Sequence, residues 1–589
     1  MNLAVIDIES QGKELKDKIN YVGFYTQKNG EDRYKIFEIP EQTESLRTFV
    51  SALIRKKFAF VGHNGKFDTS RMLKHLGINI HLWHDTYVLA YLCCTSDVLK
   101  YKPKGYLSLE KCAERELGIE SWDIDLKIKI TKDPIVIPYL KKDLKTTYQL
   151  TQYYLKKLPK DRYDIYRLIM QYSNAYKHIE QNGFPIDSAR MASLRATTEV
   201  EIQKLHEQLV TFADINYNSS IQLCDLLYEQ YNLPVLEKTE KGNPSVNASV
   251  LKRLYKSHPI IPLILEYRKK IRMVAFMTSW EEKMVLKDDG TTWLYPTFNV
   301  AGTLSGRLSA SEPNLQQIPR DKTLKSLFRS PYPDYEFVQL DFSQIELRIA
   351  AIVADVKAMK QAYAKGEDLH TKMACVITGK KAHEISKEER TWAKVANFGY
   401  LYGMHPPSFI DYAFDDFGIT FSLQQAAEIR YNFFALYPEM TLYYEQVEQD
   451  LTHYHSTTSL SGRVYEIDPA IMTNFKKFNA VLRSAINFPV QNTASDFVQM
   501  GVVALVRDQK IKDDIILCGT VHDAVIALIK KEKLEETIAY IKQVLTNPPL
   551  VHKYFSIPYP FEIPMVVDEE IGPFGLGVSL KEYEEGNTV

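Results

Sequence analysis

The N-terminal part of the chain alternates between short apolar runs and segments in which apolar residues recur with helical spacing. The strand-like runs begin at residues 3, 20, 34 and 58. Helical spacing follows over residues 70–76 and 107–117. Interleaved strands and helices predict an α/β domain that ends near residue 155.

The rest of the chain is mainly helical, with a few strand signals. A long helical pattern over residues 161–210 is broken at 182–185, where the sequence Asn-Gly-Phe-Pro favours a turn. A strand and two helices are predicted at residues 335–340, 343–354 and 388–402. Within residues 515–529, two apolar runs are separated only by His522-Asp523, which predicts a β-hairpin with an acidic residue at its turn.

Length and composition indicate a globular protein with more than one domain. The 589 residues exceed the roughly 250–300 that a single hydrophobic core supports. Hydrophobic residues make up 45% and charged residues 25% of the chain, which excludes disordered and collagen-like classes. A formal net charge of -1 excludes a uniformly basic nucleic-acid coat but allows a local basic groove.

Two segments, residues 251–273 and 380–394, are locally basic. In the first, only Glu266 opposes the cations Lys252, Arg253, Lys256, Arg268, Lys269, Lys270 and Arg272. Such a cluster is either a solvated face or a contact to the phosphate backbone of a nucleic acid. Both interpretations stay open at this point.

Targeting and redox signals are absent from the sequence. No apolar run reaches the ~20 residues that span a bilayer, and acidic residues at positions 7 and 9 argue against a signal peptide. The 6 cysteines include no Cys-x-x-Cys pair, so neither a disulfide framework nor a zinc site is expected. We therefore expect a cytoplasmic protein with no membrane partner.

A first group of carboxylates lies near the N-terminus. Asp7 and Glu9 fall on one face of a strand because side-chain direction has a period of two. Asp68 and Asp143 follow on helix-like segments, and Tyr139 precedes Asp143 by about one helical turn. If these acids converge, divalent cations must offset their repulsion, and two such ions can activate water for phosphodiester hydrolysis.

These residues carry a resemblance. Asp7-Ile-Glu9, Asn64-Gly-Lys-Phe-Asp68 and Tyr139-Leu-Lys-Lys-Asp143 resemble the three motifs of the DEDDy 3′–5′ exonucleases. Their order and spacing are similar to those of the proofreading domain of bacterial DNA polymerase I. The resemblance implies a ribonuclease H-like fold in which the four acids bind two Mg²⁺ ions and Tyr139 assists catalysis.

A second group combines two acids with a cationic helix. Asp341 ends a strand-like run, and Asp523 sits at the predicted hairpin turn. On the helix between them, Arg390, Lys394 and Phe398 recur every fourth residue and so form a narrow stripe. The stripe is either a surface helix with Phe398 dipping into the core or a triphosphate clamp with an aromatic face for a nucleotide.

The second group resembles the family A DNA polymerases over nearly the whole chain, as in the large fragment of DNA polymerase I and phage relatives. Asp341-Phe-Ser-Gln-Ile-Glu346-Leu-Arg is similar to motif A, and Val-His522-Asp523 to motif C. Arg390-x3-Lys394-x3-Phe398-Gly-Tyr-Leu-Tyr402-Gly is similar to motif B. Segments around Arg307, Asn314, His370 and Arg483 fit the same family.

The resemblance implies a role for each matching residue. Asp341 and Asp523 would bind two Mg²⁺ ions, for which Mn²⁺ can substitute. Lys394 would assist the departure of pyrophosphate. Glu346 would exclude a 2′-hydroxyl and so select deoxynucleotides. The residues expected to line the nucleotide site are Arg390, Lys394, Phe398, Tyr402, His370, Glu346 and Gln344. Those expected to contact DNA are Arg307, Asn314, Gln316, Arg483, Asn487, Gln491 and His522.

One departure from the family pattern concerns the metal site. Motif C reads His522-Asp523-Ala524, where many relatives have a glutamate in place of the alanine. Asp341 and Asp523 can still hold both ions, so we expect polymerase activity with altered metal tolerance.

Three alternatives are weighed against a proofreading DNA polymerase. Ala524 favours a 3′–5′ exonuclease whose degenerate polymerase module serves as a DNA-binding platform, but intact Asp341, Asp523 and Arg390 oppose it. An RNA polymerase of related architecture would need the space that Glu346 fills. A purely structural role leaves both acid groups unexplained.

The expected fold class is a multidomain α/β protein. Residues 1–155 would form the exonuclease domain and 156–589 a right-hand polymerase domain. The thumb is expected near 165–290, the palm near 295–350 and 435–589, and the fingers near 351–434. The protein is expected to be a monomer that acts in phage replication. Its expected partners are primer-template DNA, deoxynucleoside triphosphates and a processivity factor or other replisome proteins. No 5′-nuclease domain is expected before Asp7, and a phage-encoded enzyme would act in the cytoplasm of the bacterial host.

Overall fold

The computed structural model describes residues 2–122, 135–239 and 241–586. Its N-terminal part is built on the strands β1 (Leu3–Ser10), β2 (Ile19–Lys28), β3 (Glu31–Glu38), β4 (Ala59–Gly62) and β5 (Leu82–Asp85). They form one sheet in the order β3-β2-β1-β4-β5. β1 pairs antiparallel with β2 and parallel with β4, so the sheet is mixed, as predicted.

Helices cover both faces of this sheet: α1 (Thr43–Arg55), α2 (Lys66–Leu76), α3 (Thr86–Leu92), α4 (Ser96–Tyr101), α5 (Leu109–Leu117) and α6 (Val136–Lys157). On one face, Leu140 and Leu144 of α6 pack against Val5 and Val61. On the other face, Ile6 packs with residues of α1 and α2. Successive residues of β1 therefore enter different cores, which explains why the strand is apolar at most positions.

Helix α7 (Tyr163–Asn182) joins this part to the rest of the chain and is buried around most of its circumference. Asn174 exchanges two hydrogen bonds of 2.8 and 2.9 Å with the backbone of Leu82 in β5. On the other side, the Tyr176 hydroxyl donates to Gln499 Oε1 at 2.6 Å. The helix ends at Gly183, which has a φ of 74°, a backbone conformation that favours glycine. A Cβ at this position would also lie only 2.8 Å from a backbone oxygen, so there is no room for a side chain. The break predicted at 182–185 is confirmed.

The next four helices are α8 (Ser188–Val210), α9 (Ser220–Cys224), α10 (Ala248–Arg253) and α11 (Ile260–Lys283), and a π-helix at Asp225–Gln230 extends α9. α8 and α11 pack along each other. Leu209, at the C-terminal end of α8, and Ile264, near the N-terminal end of α11, belong with Tyr217 and Leu251 to a separate small hydrophobic core. This separate core is typical of a semi-independent lobe, and the thumb boundaries predicted for this region remain a prediction.

Three cations of the first basic stretch make polar contacts within the protein. Arg253 pairs with Asp411 at 3.0 Å, and Lys270 pairs with Glu201 at 2.6 Å. Arg268 donates to two backbone carbonyl oxygens at 2.8 and 2.9 Å. These three cations are engaged within the protein in this conformation, and the choice between a solvated face and a phosphate contact stays open for this stretch.

The remaining strands are β6 (Phe184–Pro185), β7 (Val285–Leu286), β8 (Thr292–Leu294), β9 (Thr297–Asn299), β10 (Ser309–Ser311), β11 (Tyr335–Phe342), β12 (Ser456–Thr458), β13 (Val464–Glu466), β14 (Ile515–Val521), β15 (Ala524–Lys530) and β16 (Val567–Ile571). The largest sheet among them has the order β14-β15-β11-β16 and is antiparallel throughout. The hairpin predicted around His522-Asp523 is confirmed. β16 was not predicted, because its central residues are all acidic and carry no apolar alternation.

The remaining helices are α12 (Lys322–Lys325), α13 (Ile345–Val353), α14 (Lys357–Ala364), α15 (Leu369–Thr378), α16 (Lys387–Leu401), α17 (Pro406–Phe417), α18 (Leu423–Leu436), α19 (Glu439–Tyr454), α20 (Phe475–Arg507), α21 (Leu534–Thr546), α22 (Val551–Tyr554) and α23 (Leu580–Glu584). Among the described residues, no helix combines the length and apolar character that crossing a membrane requires.

A buried ion pair supports the loop that carries Arg307. Arg463 donates two hydrogen bonds of 2.9 Å to the carboxylate of Asp496 on α20, and both side chains are almost completely buried. Close by, the Ser495 hydroxyl donates to the Gly306 carbonyl at 2.9 Å. Because Gly306 has a φ of 72° and a Cβ there would lie 3.2 Å from Arg463 Nε, the loop and the ion pair fit together closely.

We predict that Asp496→Ala destabilises the protein strongly, because it leaves the guanidinium of Arg463 buried without its counter-charge. The expected loss is about 3–5 kcal/mol of unfolding free energy, read from the midpoint of a urea transition. Asp513→Ala, at an exposed position, is the control and should change stability by less than ~0.5 kcal/mol. Equal midpoints for the two variants would contradict the role assigned to the ion pair.

Candidate active sites

Three of the N-terminal acids meet beside β1, the central strand of the first sheet. Asp7 and Glu9 project from the same face of β1, and Asp143 comes from α6. Ligand oxygens of the three side chains all lie within 4.8 Å of one another. Burial and the charges of Asp68, Asp143 and Glu9 raise the pKa of Asp7 well above its usual value. The convergence predicted from the sequence is present.

Asp68 completes the group from α2. Its Oδ1 accepts a hydrogen bond of 3.1 Å from the backbone N–H of Ile8, which lies between Asp7 and Glu9 on β1. Burial raises the pKa of Asp68 to about 7 even though this hydrogen bond favours the charged form. The fourth predicted acid therefore also adjoins the cluster.

The start of α2 is held by an acid that sequence reasoning missed. The two oxygens of Asp85 accept hydrogen bonds of 2.8 Å from the backbone N–H groups of Asn64 and Gly65. Asp85 also caps α3, where its carboxylate accepts from the N–H of Tyr87 at 2.9 Å. This capping position was the available sequence signal, since aspartate is favoured there.

Two further side chains surround Asp143. The Trp122 indole N–H donates to Asp143 Oδ1 at 2.6 Å, and the Tyr139 hydroxyl donates to Glu110 Oε1 at 3.2 Å. Burial and the charges of Asp143 and Glu110 raise the pKa of Tyr139, so its phenol stays neutral. Sequence reasoning named Tyr139 but not Trp122 or Glu110, whose positions depend on long-range packing.

The second pair of acids lies on the antiparallel sheet. Asp341 is near the end of β11, and Asp523 is in the two-residue turn between β14 and β15, where His522 has a φ of 56°. Partial desolvation and the charges of Asp523, Glu570 and Asp568 raise the pKa of Asp341 to about 6. The two predicted metal ligands are thus electrostatic neighbours across the sheet.

Gln316 holds the turn that carries Asp523. Its amide donates to the Thr520 carbonyl at 2.5 Å and accepts from the backbone N–H of His522 at 3.0 Å. The side chain is buried, with 8% of its surface exposed. Both ends of its amide are engaged inside the protein, where they position the hairpin, and the contact with DNA expected for Gln316 stays a prediction.

The predicted stripe lies along α16. Ser386 begins this helix through a reciprocal capping box with Glu389. Arg390 and Lys394 are exposed, and Phe398 is half-buried, so the stripe runs from solvent toward the core. Arg390 is the most constrained of them: its guanidinium donates two hydrogen bonds, of 2.8 and 3.0 Å, to Asp368.

His370 lies behind this stripe. Burial lowers the pKa of its imidazole to about 4, so the ring is neutral. Its Nδ1 is 3.1 Å from Nδ2 of Asn397, and because an amide nitrogen only donates, Nδ1 must accept. The proton therefore resides on Nε2, which makes His370 a neutral donor.

Arg307 links the two sides of the cleft. Its guanidinium donates to Glu346 Oε1 at 2.6 Å and to Asp523 Oδ2 at 3.2 Å. Glu346 is buried, and burial raises its pKa to about 7 although the neighbouring Arg307 lowers it. The side chain of Arg307, which is predicted to contact DNA, thus neutralises one of the predicted metal ligands in this structure.

The remaining predicted residues lie around the same cleft. Arg483, Asn487 and Gln491 form an i, i+4 stripe on α20 that is exposed or half-buried. The oxygen of the Asn487 amide and the hydroxyl of Tyr402 are buried without a hydrogen-bond partner among the described residues. Two more predicted residues make local contacts. Asn314 caps a 3-10 turn, and Gln344 Oε1 accepts a hydrogen bond of 3.1 Å from the Tyr363 hydroxyl.

Comparison with known proteins decides the family. A model described as DNA polymerase family A matches residues 188–574. The chain belongs to DNA polymerase family A. This polymerase is 28% identical to DNA polymerase I of Aquifex aeolicus, over 96% of this chain and 95% of that protein. It is 24% identical to the DNA polymerase of Bacillus phage SP01, over 88% of this chain and 63% of that protein.

A solved structure shares the fold. It is the POL domain of Pol1 from M. smegmatis in complex with DNA primer-template and dNTP, with a TM-score of 0.81 and 21% identity. The match covers 97% of this polymerase and 95% of that chain. The mixed α/β fold predicted from the sequence is therefore confirmed, whereas the N-terminal acid cluster lies outside the segment that the family model matches.

Family A polymerases generally use divalent metal ions, and the acids of this polymerase suit them. The cluster of Asp7, Glu9 and Asp143 offers only carboxylate oxygens, the donors that Mg²⁺ and Mn²⁺ prefer. Asp341 and Asp523 offer the same donor type at the second site. At both sites a cation would offset the repulsion that raises the pKa values of Asp7 and Asp341.

We predict that Arg307→Gln tightens divalent-ion binding to the DNA-free polymerase, because Asp523 loses its neutralising partner. A partly exposed ion pair of this kind is worth up to about 1 kcal/mol, or about fivefold in affinity. Mn²⁺ titration followed by electron paramagnetic resonance measures it, in an Asp7→Ala background that removes the other acid cluster. Arg483→Gln removes a charge elsewhere along the cleft and should leave the affinity unchanged. Equal or weaker Mn²⁺ binding in Arg307→Gln would contradict the prediction.

Proposed function

We propose that this family A polymerase extends a DNA primer by a two-metal phosphoryl transfer and also removes mismatched 3′ ends with its N-terminal site. The observation that carries the first activity is the pair Asp341 and Asp523, whose charges interact across the sheet. The observation that carries the second is the cluster of Asp7, Glu9 and Asp143, whose ligand oxygens lie within 4.8 Å.

Bound divalent ions would supply charge stabilisation and acidify the attacking hydroxyl or water at either site. In the polymerase site, Asp341 and Asp523 would hold those ions. Exposed Arg390 and Lys394 bind the triphosphate, and the neutral Nε2–H of His370 adds a donor without adding charge. Arg390 must exchange its bond to Asp368 for the triphosphate, so nucleotide binding would release Asp368.

In the N-terminal site, Asp7, Glu9, Asp68 and Asp143 would hold the ions. The neutral phenol of Tyr139 can orient the attacking water without competing for metal. The Trp122 indole fixes the Asp143 carboxylate by its hydrogen bond of 2.6 Å. A mismatched end frays more readily than a paired one and so reaches this site at lower cost.

Sugar selection would rest on Glu346, which is buried beside Asp523 and Arg307. A carboxylate in this position leaves no space for a 2′-hydroxyl and offers it no favourable exchange for lost water. Phe398 and Tyr402 would line the same nucleotide pocket, and the buried Tyr402 hydroxyl has no hydrogen-bond partner among the described residues.

The biological setting we infer is phage DNA replication in a bacterial host, supported by the similarity to the DNA polymerase of Bacillus phage SP01. Primer-template DNA and deoxynucleoside triphosphates are the proposed partners, since the M. smegmatis POL domain of the same fold is described in complex with both. We also propose that the polymerase is a cytoplasmic monomer that works with a processivity factor or other replisome proteins. The proposed ion is Mg²⁺, which Mn²⁺ can replace.

Two variants test the proposed function. Asp523→Asn should lower primer extension by ~1,000-fold, since a metal ligand supplies several kcal/mol to the transition state, while degradation of single-stranded DNA persists. Asp7→Ala should do the reverse. The rates are read from a labelled primer on denaturing gels, and each variant is the control for the other. Loss of both activities in a folded variant would contradict two separate sites.

Glu346→Ala should admit ribonucleotides. Removing one contact that discriminates between sugars is worth ~1–3 kcal/mol, or about 10- to 100-fold in the ratio of kcat/KM for ATP and dATP. Glu346→Gln keeps the size of the side chain and should retain most of the discrimination. An unchanged sugar preference in Glu346→Ala would remove Glu346 from the proposed gate.

A further inference from the structure

Three strands of the antiparallel sheet place their residues in one row at the polymerase site. In the strand register, Asp341 on β11 is directly opposite Ala524 on β15 and directly opposite Asp568 on β16. Residues that face each other across antiparallel strands project from the same side of the sheet. Asp341 therefore has a methyl group on one flank and a carboxylate on the other.

Exposure confirms which side of β16 Asp568 occupies. Along this strand, Asp568 and Glu570 are exposed, whereas the alternating residues Val567 and Ile571 are buried. On β11, Asp341 is likewise exposed between two buried neighbours. Both carboxylates thus leave the sheet on its open side, away from the hydrophobic core.

The spacing suits a shared ion. Cβ atoms of directly opposed residues lie roughly 5 Å apart, and Mg²⁺ binds carboxylate oxygens at about 2.1 Å. Two aspartates at that spacing can ligate one ion or adjacent ions. Ala524, at the same spacing on the other flank, offers no ligand.

Local cations do not satisfy Asp568. Its carboxylate makes no hydrogen bond or ion pair with another described residue. Arg348 is the cation that its charge influences, but that guanidinium donates to the backbone oxygens of Ser343 and Pro564 at 2.8 and 2.6 Å. Glu570, one row further along β16, also acts on Asp341 through its charge, and both of these acids lie near the ammonium of Lys325.

We propose that Asp568 supplies the third carboxylate of the polymerase metal site, on the opposite flank of Asp341 from Ala524. This inference rests on the proposed two-metal function of Asp341 and Asp523. It assigns a metal-binding role to a strand that carries none of the predicted site residues. It also gives a reason why an alanine in the hairpin is compatible with activity.

The test measures ion binding apart from turnover. In the Asp7→Ala background, Mn²⁺ is titrated into a complex with a dideoxy-terminated primer-template and the next deoxynucleotide, and free Mn²⁺ is read by electron paramagnetic resonance. Asp568→Asn should weaken Mn²⁺ binding about tenfold, the range for losing a group that supports a metal site. Because Asp568 is exposed, the melting temperature should stay unchanged, which excludes misfolding.

Rescue and control variants sharpen the result. Ala524→Glu combined with Asp568→Asn should restore Mn²⁺ affinity, since it returns a carboxylate to the other flank of Asp341. Glu562→Gln, an exposed acid that precedes β16, removes the same charge and should have no effect. A tenfold loss for Glu570→Gln with none for Asp568→Asn would overturn the assignment, as would equal Mn²⁺ affinity in the parent and Asp568→Asn.

The same experiment separates this inference from the function on which it rests. If the parent with a normal primer fails to extend it, the proposed polymerase mechanism fails. If the parent extends the primer and binds Mn²⁺, but Asp568→Asn behaves identically, only the role of Asp568 is overturned.

Discussion

Repulsion between carboxylates is the constraint on which both candidate sites depend. The fold holds ligand oxygens of Asp7, Glu9 and Asp143 within 4.8 Å, and it raises the pKa of Asp341 to about 6 beside Asp523. Such arrangements cost free energy unless a proton or a cation compensates them. The hydrophobic cores on both faces of β1 and beneath the antiparallel sheet supply the rigidity that keeps the acids together. Divalent ions at the two candidate sites would relieve the repulsion that this proximity causes, and the proposed phosphoryl transfer requires such ions.

The two sites share one scaffold. Glu180 on α7 accepts hydrogen bonds from the Ser70 hydroxyl at 3.1 Å and from the backbone N–H of Phe298 at 2.7 Å, and it also pairs with Lys66. Lys66 and Ser70 belong to α2, the helix that carries Asp68, whereas Phe298 belongs to β9 beside the polymerase cleft. The ion pair is buried and connects elements far apart in the sequence. The N-terminal acid cluster and the polymerase part of the chain are therefore connected through one buried network on α7.

Sequence patterns predicted those parts of the molecule that depend on local order. The hairpin around Asp523 and the break before Gly183 follow from turn residues between periodic segments, and both are confirmed. The patterns could not reveal partners that only folding brings together. Gln316 was expected to contact DNA, and the sequence did not show that its amide binds the hairpin. The strand that contains Asp568 was not predicted, because its acidic residues show no apolar alternation. Register across strands, rather than spacing along the chain, places Asp568 beside Asp341.

The most direct measurement uses the unaltered protein and a labelled primer-template with a 3′ mismatch, in the presence of Mg²⁺. Without deoxynucleotides, the primer should shorten from its 3′ end. With them, the same primer should be trimmed past the mismatch and then extended to the end of the template, which requires both sites to act on one terminus. Shortening under both conditions, with no extension, would contradict a working polymerase site and would instead indicate a nuclease on a silent polymerase scaffold.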